Sequence, residues 1–393
     1  MANNLIFITS TVSHKKFRDR LDAAMRAGYD VKVIGYCRDR EIKNLRSDDS
    51  DRVNYFLVNA PSKMGAFSRI PFLLKLIAKI ISVRFTYGKP SVILVNTAEL
   101  LLLSSVLFID KIRGIYDLAD INPIQYGDGC FSNLFRLAEA RILNSQKWDI
   151  VVTSPWFCWG YLRPVLRSGA DCYLIENKLI GRADLPASSS SKCFDHKSPL
   201  TIGWTGLLRC NRSLGVLFDL CKFNARVNLD LIGSVRTLDG NLLDLANSLS
   251  NIRILGEYLE EKLADKLTDV HFIWACDFFD GLNSKFLLPN RLYQGIFYGK
   301  PLIAEAGTAT GYVVDYYDIG MVLEDFSAVN LSAVLSGITQ EKYDKWRANC
   351  IRMSDRVLRG MEWRDFLRTS GQQNAQQIGD EVDVSIVMRR GDS

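Results

Sequence analysis

Short runs rich in β-branched and apolar residues alternate along this chain with longer stretches whose apolar positions recur every three to four residues. The first runs are Leu5 to Thr9, Val31 to Tyr36 and Tyr55 to Val58, and Phe17 to Ala27 has helical spacing between the first two. The alternation continues through Ser91 to Asn96, Gly114 to Leu118, Ile150 to Thr153 and Cys172 to Ile175. Strand, helix, strand repeats of this kind predict a parallel sheet, and these predict one doubly wound domain over residues 1–190.

The pattern breaks at Ala187 to Pro199, where four consecutive serines sit in the polar stretch ASSSSKCFDHKSP, and an interdomain linker is expected there. It restarts with Thr201 to Trp204, Leu229 to Ile232, Ile252 to Leu255, His271 to Ala275, Leu302 to Ala304 and Met321 to Leu323. A second α/β domain over 198–338 follows, then a single closing helix within 339–370. The remainder, 371–393, lacks sustained periodicity and is expected to be mobile. Two such α/β units facing a cleft suit an enzyme with two substrates, and equally a binding protein.

Composition changes this picture little. With 393 residues, 48% hydrophobic and 24% charged, the chain has the usage of an ordinary globular protein. The charge, 49 basic minus 44 acidic, is +5, too mild to indicate nucleic acid. Its distribution is uneven: residues 1–195 hold 27 bases and 19 acids, a difference of +8, leaving 22 against 25 in the rest. Nine scattered cysteines without C-x-x-C spacing read as reduced thiols and hold no metal site. The N-terminus lacks the features of a signal peptide, and the longest apolar run, Leu100 to Ile109, is too short to span a bilayer. A cytoplasmic protein is expected.

Several chemistries lack their residues. No G-x-G-x-x-G follows a strand, so a nicotinamide or flavin fingerprint is missing. The phosphate-loop lookalike ending Gly299-Lys300-Pro301 is one residue short and has proline where Ser or Thr must hold magnesium; it reads as a helix end capped by Gly299. There is no nucleophile elbow, and three histidines give poor support for a triad. Asp49-Ser50-Asp51 reads as a solvated turn rather than a metal site.

Two segments carry a signal. In IGWTGLLRCNRSL a strand stops at Thr205-Gly206 and presents Arg209 and Arg212 just before an apolar helix. Backbone N–H groups and two guanidiniums there suit a diphosphate, although two solvated helix-start arginines would look the same. In GLNSKFLLPNRLYQGIFYGKPLIAEAGTATG, Pro289 is expected at the first position of a helix running to Tyr298, followed by a strand and the small-residue loop 306–311. Thr308, Thr310 and nearby amides can hold anionic oxygens, or the loop is a plain connection.

The segments GWTGLLR and LPNRLYQGIFYGKPLIA resemble the GT-B glycosyltransferases, in particular the group 1 enzymes of bacterial exopolysaccharide and capsule synthesis. In outline the likeness covers residues 1–370, while its motifs are confined to the second domain. The resemblance implies a GT-B architecture of two Rossmann-like domains with a terminal helix crossing back to the first. It implies a nucleotide-diphosphate sugar bound by the second domain at Gly206, Arg209, Arg212, Asn290, Arg291 and Gln294, with Asn283 and Ser284 as further polar contacts. Gln294 replaces the glutamate that usually holds the ribose hydroxyls, and Phe286 replaces the other member of an E-x7-E pair. These departures leave a non-catalytic relative as an alternative, and a nucleotide-sugar epimerase shares the layout. No cofactor and no metal is expected beside the sugar donor, which is a substrate.

The first domain offers Asp117 and Asp120 in YDLADINP, at a strand end facing the cleft. A carboxylate there can take a proton from an acceptor hydroxyl if partial burial raises its pKa, and Asp120 can equally be a helix or turn cap before Asn122-Pro123. His14, after the first strand, is the other candidate base. From Lys63 to Lys89 six bases, including Arg69, Lys75, Lys79 and Arg84, interleave with Phe67, Phe72, Leu73, Leu74, Ile77, Ile80, Ile81 and Phe85, without one acid. A sheet-covering helix explains the apolar residues but not the missing acids; an anionic membrane surface explains both. The expected partner is therefore a lipid-linked saccharide at the inner face of the cell membrane.

Overall fold

The computed structural model describes residues 4–12, 15–37, 52–61, 70–107, 112–145, 148–164, 166, 171–180, 194, 198–279, 281–359, 362–368 and 376–377. It divides into two units between Ile175 and Glu176, and the chain rejoins the first unit after Gly360. The second unit thus begins ahead of the serine-rich stretch expected to be the linker.

In the first unit, β1 (Asn4–Thr9), β2 (Asp30–Cys37), β3 (Val53–Asn59), β4 (Val92–Val95), β5 (Arg113–Leu118), β6 (Trp148–Val152) and β7 (Cys172–Leu174) pair in parallel in the order β3-β2-β1-β4-β5-β6-β7. Central strands such as VILV are buried at every position, which is why they read as continuous apolar runs. α1 (Lys15–Arg26) joins β1 to β2. α2 (Ile70–Tyr87), α3 (Ala98–Leu107) and α4 (Cys130–Ser145) follow β3, β4 and β5 in turn, and α3 packs beside both its neighbours.

The second unit contains β8 (Leu179–Ile180), β9 (Leu200–Leu207), β10 (Val227–Ser234), β11 (Ile252–Ile254), β12 (Phe272–Trp274), β13 (Leu302–Glu305), β14 (Gly320–Leu323) and β15 (Leu358–Arg359). Six of these form a parallel sheet in the order β11-β10-β9-β12-β13-β14, and β8 pairs separately with β15. The helices that position the site are α5 (Asn211–Phe223), α6 (Gly281–Phe286), α7 (Asn290–Phe297) and α8 (Ala309–Tyr316).

The closing segment is not the single helix expected. α9 (Gln340–Arg352), capped by Thr339, stays with the second unit, and Ser354–Val357 and β15 interrupt the helical run. α10 (Glu362–Arg368) then packs on α1 within the first unit, where Trp363 lies 4.7 Å from the Arg20 guanidinium and Tyr29 Oη donates to the Leu367 carbonyl at 3.1 Å. The tail is not wholly without structure, because Gln376–Gln377 adds an antiparallel strand to the edge at β7. Among the described residues no helix is long and apolar enough to cross a membrane, no cluster of potential ligands can hold a metal, and no disulfide forms; seven of the eight described cysteines are buried.

Candidate functional site

The strand order of the second sheet reverses between β9 and β12, and open α/β sheets bind ligands beyond the carboxyl ends of strands at such a reversal. Near that end of β9, one residue before its last, lies Gly206, whose φ of +95° suits glycine. A Cβ on the neighbouring Gly233 would lie 1.8 Å from the Gly206 carbonyl oxygen, so only glycine permits this approach of β10. Cys210 caps α5 by accepting from the Ser213 amide at 3.3 Å, which places Arg209 before the helix and Arg212 in its first turn.

Beyond β12 the segment Asp277-Phe278-Phe279 holds both arginines. Arg209 lies 4.7 Å from the Phe279 ring and 3.8 Å from the Asp277 carboxylate, and Arg212 lies 4.4 Å from the Phe278 ring. Cation–π contact of this kind presets a guanidinium without covering all its donors. From α7, Arg291 brings Nη2 to 3.5 Å from the same carboxylate and donates from Nη1 to the Cys276 carbonyl at 3.2 Å. Burial holds the Arg291 pKa below its ordinary value, with Asp277 opposing the shift.

Gln294, one turn further along α7, is buried. Its Oε1 accepts from Thr205 Oγ1 at 2.7 Å and its Nε2 donates to Tyr258 Oη at 3.1 Å, so the amide bridges β9 to the chain after β11. Asn290 is exposed, whereas Asn283 and Ser284 on α6 are buried. Pro289 is the N-cap of α7 rather than its first helical residue. At the far end Gly299 takes φ of +61° and the Lys300 amide reaches back to the Gly295 carbonyl. Lys300 itself is buried with Nζ 2.8 Å from the Val270 carbonyl, and desolvation lowers its pKa to about 8.

The loop after β13 is shorter than expected because α8 already begins at Ala309. Its threonine hydroxyls serve the backbone: Thr308 donates to the Glu305 carbonyl and accepts from the Gly311 amide, and Thr310 donates to the Leu287 carbonyl. That corrects the expectation that these hydroxyls themselves receive an anion; the loop presents the amides of a helix start instead. A Cβ at Gly311 would lie 2.1 Å from the Glu305 carbonyl oxygen, so glycine is required there. Asp277, Ser284, Glu305, Thr308 and Thr310 line one small pocket. Burial raises the Glu305 pKa, while Arg212 and Lys285 pull it down.

The first-unit candidates do not assemble in this way. Asp117 is buried and paired with Arg20 at 3.0 Å, which makes it an internal counter-ion. Asp120 is half exposed and paired with Lys16 at 3.0 Å, so it stands as one half of a surface ion pair. His14, Arg69, Lys63 and the Asp49–Asp51 turn lie outside the described residues. Asp277, Glu305, Thr205 and Tyr258 were not singled out from sequence; only the strand order makes their positions meaningful.

Two parallel-sheet units, the second reversing at an arginine-rich strand end, are the GT-B fold of glycosyltransferases. By sequence, the chain is 33% identical over 267 residues to the succinoglycan biosynthesis protein ExoL of Rhizobium meliloti (strain 1021), covering 65% of this chain and 66% of that protein, just under two thirds of its length. By structure, it is similar to sucrose-phosphate synthase from Thermosynechococcus elongatus (TM-score 0.65, 15% identity, 94% of this chain and 98% of that one). It is likewise similar to Anabaena Alr3699/HepE in complex with UDP-glucose (TM-score 0.65, 13% identity, 93% and 98%). No protein-family model matches the chain.

Proposed function

We propose that this protein is a glycosyltransferase that moves a sugar from a nucleoside-diphosphate donor to a lipid-linked saccharide in exopolysaccharide assembly. The observation that carries the reading is the set Arg209, Arg212 and Arg291 around Asp277 at the reversal of the second sheet. Three guanidiniums and one carboxylate leave two net positive charges, which suits a diphosphate. In the reaction the acceptor hydroxyl oxygen bonds to the anomeric carbon as the bond to the diphosphate oxygen breaks. The electron pair departs with the diphosphate, the hydroxyl proton passes to a departing diphosphate oxygen, and Arg209 and Arg212 stabilise the charge that develops on the leaving group.

Gln294 sets the polar floor of the nucleoside end. Its amide keeps further acceptor and donor capacity beyond the bonds to Thr205 and Tyr258, and a ribose diol needs both. The acceptor reading is supported by the relative that takes part in succinoglycan synthesis and by the basic, acid-free helix α2, which suits the inner face of an anionic membrane.

The test is transfer of labelled sugar from UDP-, GDP- and ADP-sugars to a detergent-dispersed polyprenyl-diphosphate saccharide. Label in the lipid product with one donor is the expected result. Epimerised donor without acceptor would place the protein among the epimerases, and donor binding without transfer to any lipid-linked saccharide would overturn the lipid acceptor.

A further inference from the structure

Two helices of the first unit expose rows of large apolar side chains that the sheet does not use. On α2 the sheet-facing row is Leu76, Ile80 and Val83, fully buried, while Ile70, Leu74, Ile81 and Phe85 on another face are 50%, 61%, 39% and 85% exposed. On α4 the buried side includes Glu139 and Leu143, and Phe131, Leu134 and Leu137 are 76%, 65% and 67% exposed. Spacing of three residues keeps the latter three on one stripe, which Arg141 continues. α3 packs between α2 and α4, so both stripes belong to one helical layer.

We propose that α2 and α4 together form the seat of the protein on an anionic lipid surface, with Phe131, Leu134 and Leu137 of α4 entering the acyl boundary as a second anchor. The inference deepens the reading above, since a lipid-linked acceptor is met at a membrane. Charge selects the occupant. The exposed bases on these helices are Lys75, Lys79 and Arg141, and the sole acid within either helix, Glu139, is buried beneath the hydroxyls of Tyr116 and Tyr161 and the amide of Gln125. A second copy of the same face would set base against base, whereas anionic headgroups complement it while the chains beneath accept the apolar side chains. A lone basic helix can attach by charge alone; two apolar ridges on one layer fix the unit's orientation as well as its distance.

The test is sedimentation of the full chain with vesicles of phosphatidylglycerol and phosphatidylcholine. It compares the parent, Lys75→Glu/Lys79→Glu and Phe131→Ser/Leu134→Ser/Leu137→Ser, with far-ultraviolet dichroism and light scattering as controls of fold and oligomeric state. The bound fraction should fall about fivefold or more in the triple-serine variant, because each apolar side chain withdrawn from the interface weakens attachment. A Phe131→Trp variant, whose new indole reports depth without loss of bulk, should be quenched by phospholipids brominated on the acyl chains. Parent-like sedimentation of the triple-serine variant, or an unquenched indole, would overturn the α4 anchor even if the charge-reversed variant is released. A parent dimer that the triple-serine substitutions dissociate would assign the stripe to a second copy. A parent that never sediments would reject the seat outright, while transfer to detergent-dispersed acceptor would still decide the catalytic reading.

Discussion

Arg209 and Arg212 differ from ordinary helix-start arginines because each lies against an aromatic ring of Phe278-Phe279, the one segment beyond β12. Arg209→Ala should weaken donor-nucleotide binding by about 10–100-fold, the equivalent of one charged hydrogen-bond set, with little effect on acceptor binding. Calorimetry with the nucleoside diphosphate checks it, and unchanged affinity would remove Arg209 from the site. Phe279→Leu should have a smaller effect of the same sign, because the guanidinium keeps its charge and loses only its platform. A residue-level reading of the chain finds the two arginines from their place before an apolar helix. It does not find Asp277, because WACDFFD carries no spacing that marks its carboxylate as the partner of residues 68 and 14 positions away. Lys300 is the reverse case: its apparent phosphate-loop context is a helix end, and its amine is held by the Val270 carbonyl. Burial favours the neutral amine, so the folded protein binds fewer protons than the unfolded chain above about pH 8. The lysine's penalty to folding is therefore full below pH 8 and is relieved as pH rises from there toward the ordinary lysine value of 10.5. The stability of Lys300→Met minus that of the parent should be largest at neutral pH and shrink through that window in denaturant titrations.

Elements were legible in proportion to their length and burial. Every strand of three or more residues in both parallel sheets coincides with an apolar run visible in the chain, and the run is cleanest where both faces are buried, as in β4 and β12. β8, β15 and the pair Gln376–Gln377 are two residues long, and their pairing is decided by distant partners rather than by local pattern. The division between units depends on the same kind of pairing: β8 binds β15, so residues ahead of the serine-rich stretch lie with the second unit. Among the helices, α2 stands out because an acid-free basic run is unusual, while the stripe of α4 has the spacing of a core face and only exposure separates the two. Charge reversal by Lys75→Glu/Lys79→Glu should reduce vesicle binding in proportion to anionic lipid content and leave nucleotide affinity unchanged. Each base near an anionic surface contributes about 1 kcal/mol, so two reversals should lower the partition coefficient by more than about tenfold. Binding that persists undiminished in low salt would remove α2 from the membrane reading.

At the scale of the molecule, each unit has its own sheet and its own buried core: Phe7, Phe17, Val33 and Phe366 in the first, Trp204, Phe272, Trp274 and Tyr343 in the second. All the candidate donor-site residues lie in the second unit, from β9 through α8. A ligand that binds only the folded second unit must stabilise that unit by mass action, about 2.7 kcal/mol at a hundredfold excess over its dissociation constant. Hydrogen exchange with and without the donor's nucleoside diphosphate should therefore show slowed exchange concentrated in the second unit, strongest at residues 205–213 and 306–311, where the proposed reading sets the amides of two helix starts against the diphosphate. Segments at β10 and β11 should gain protection only through the shared sheet, and therefore less. The Arg209→Ala variant should lose this pattern at matched nucleotide concentration and regain it at saturation, because the substitution removes affinity and not the fold. Protection that appears first in the first unit would move the nucleotide site away from the arginine cluster, and with it the assignment of donor binding to the second sheet.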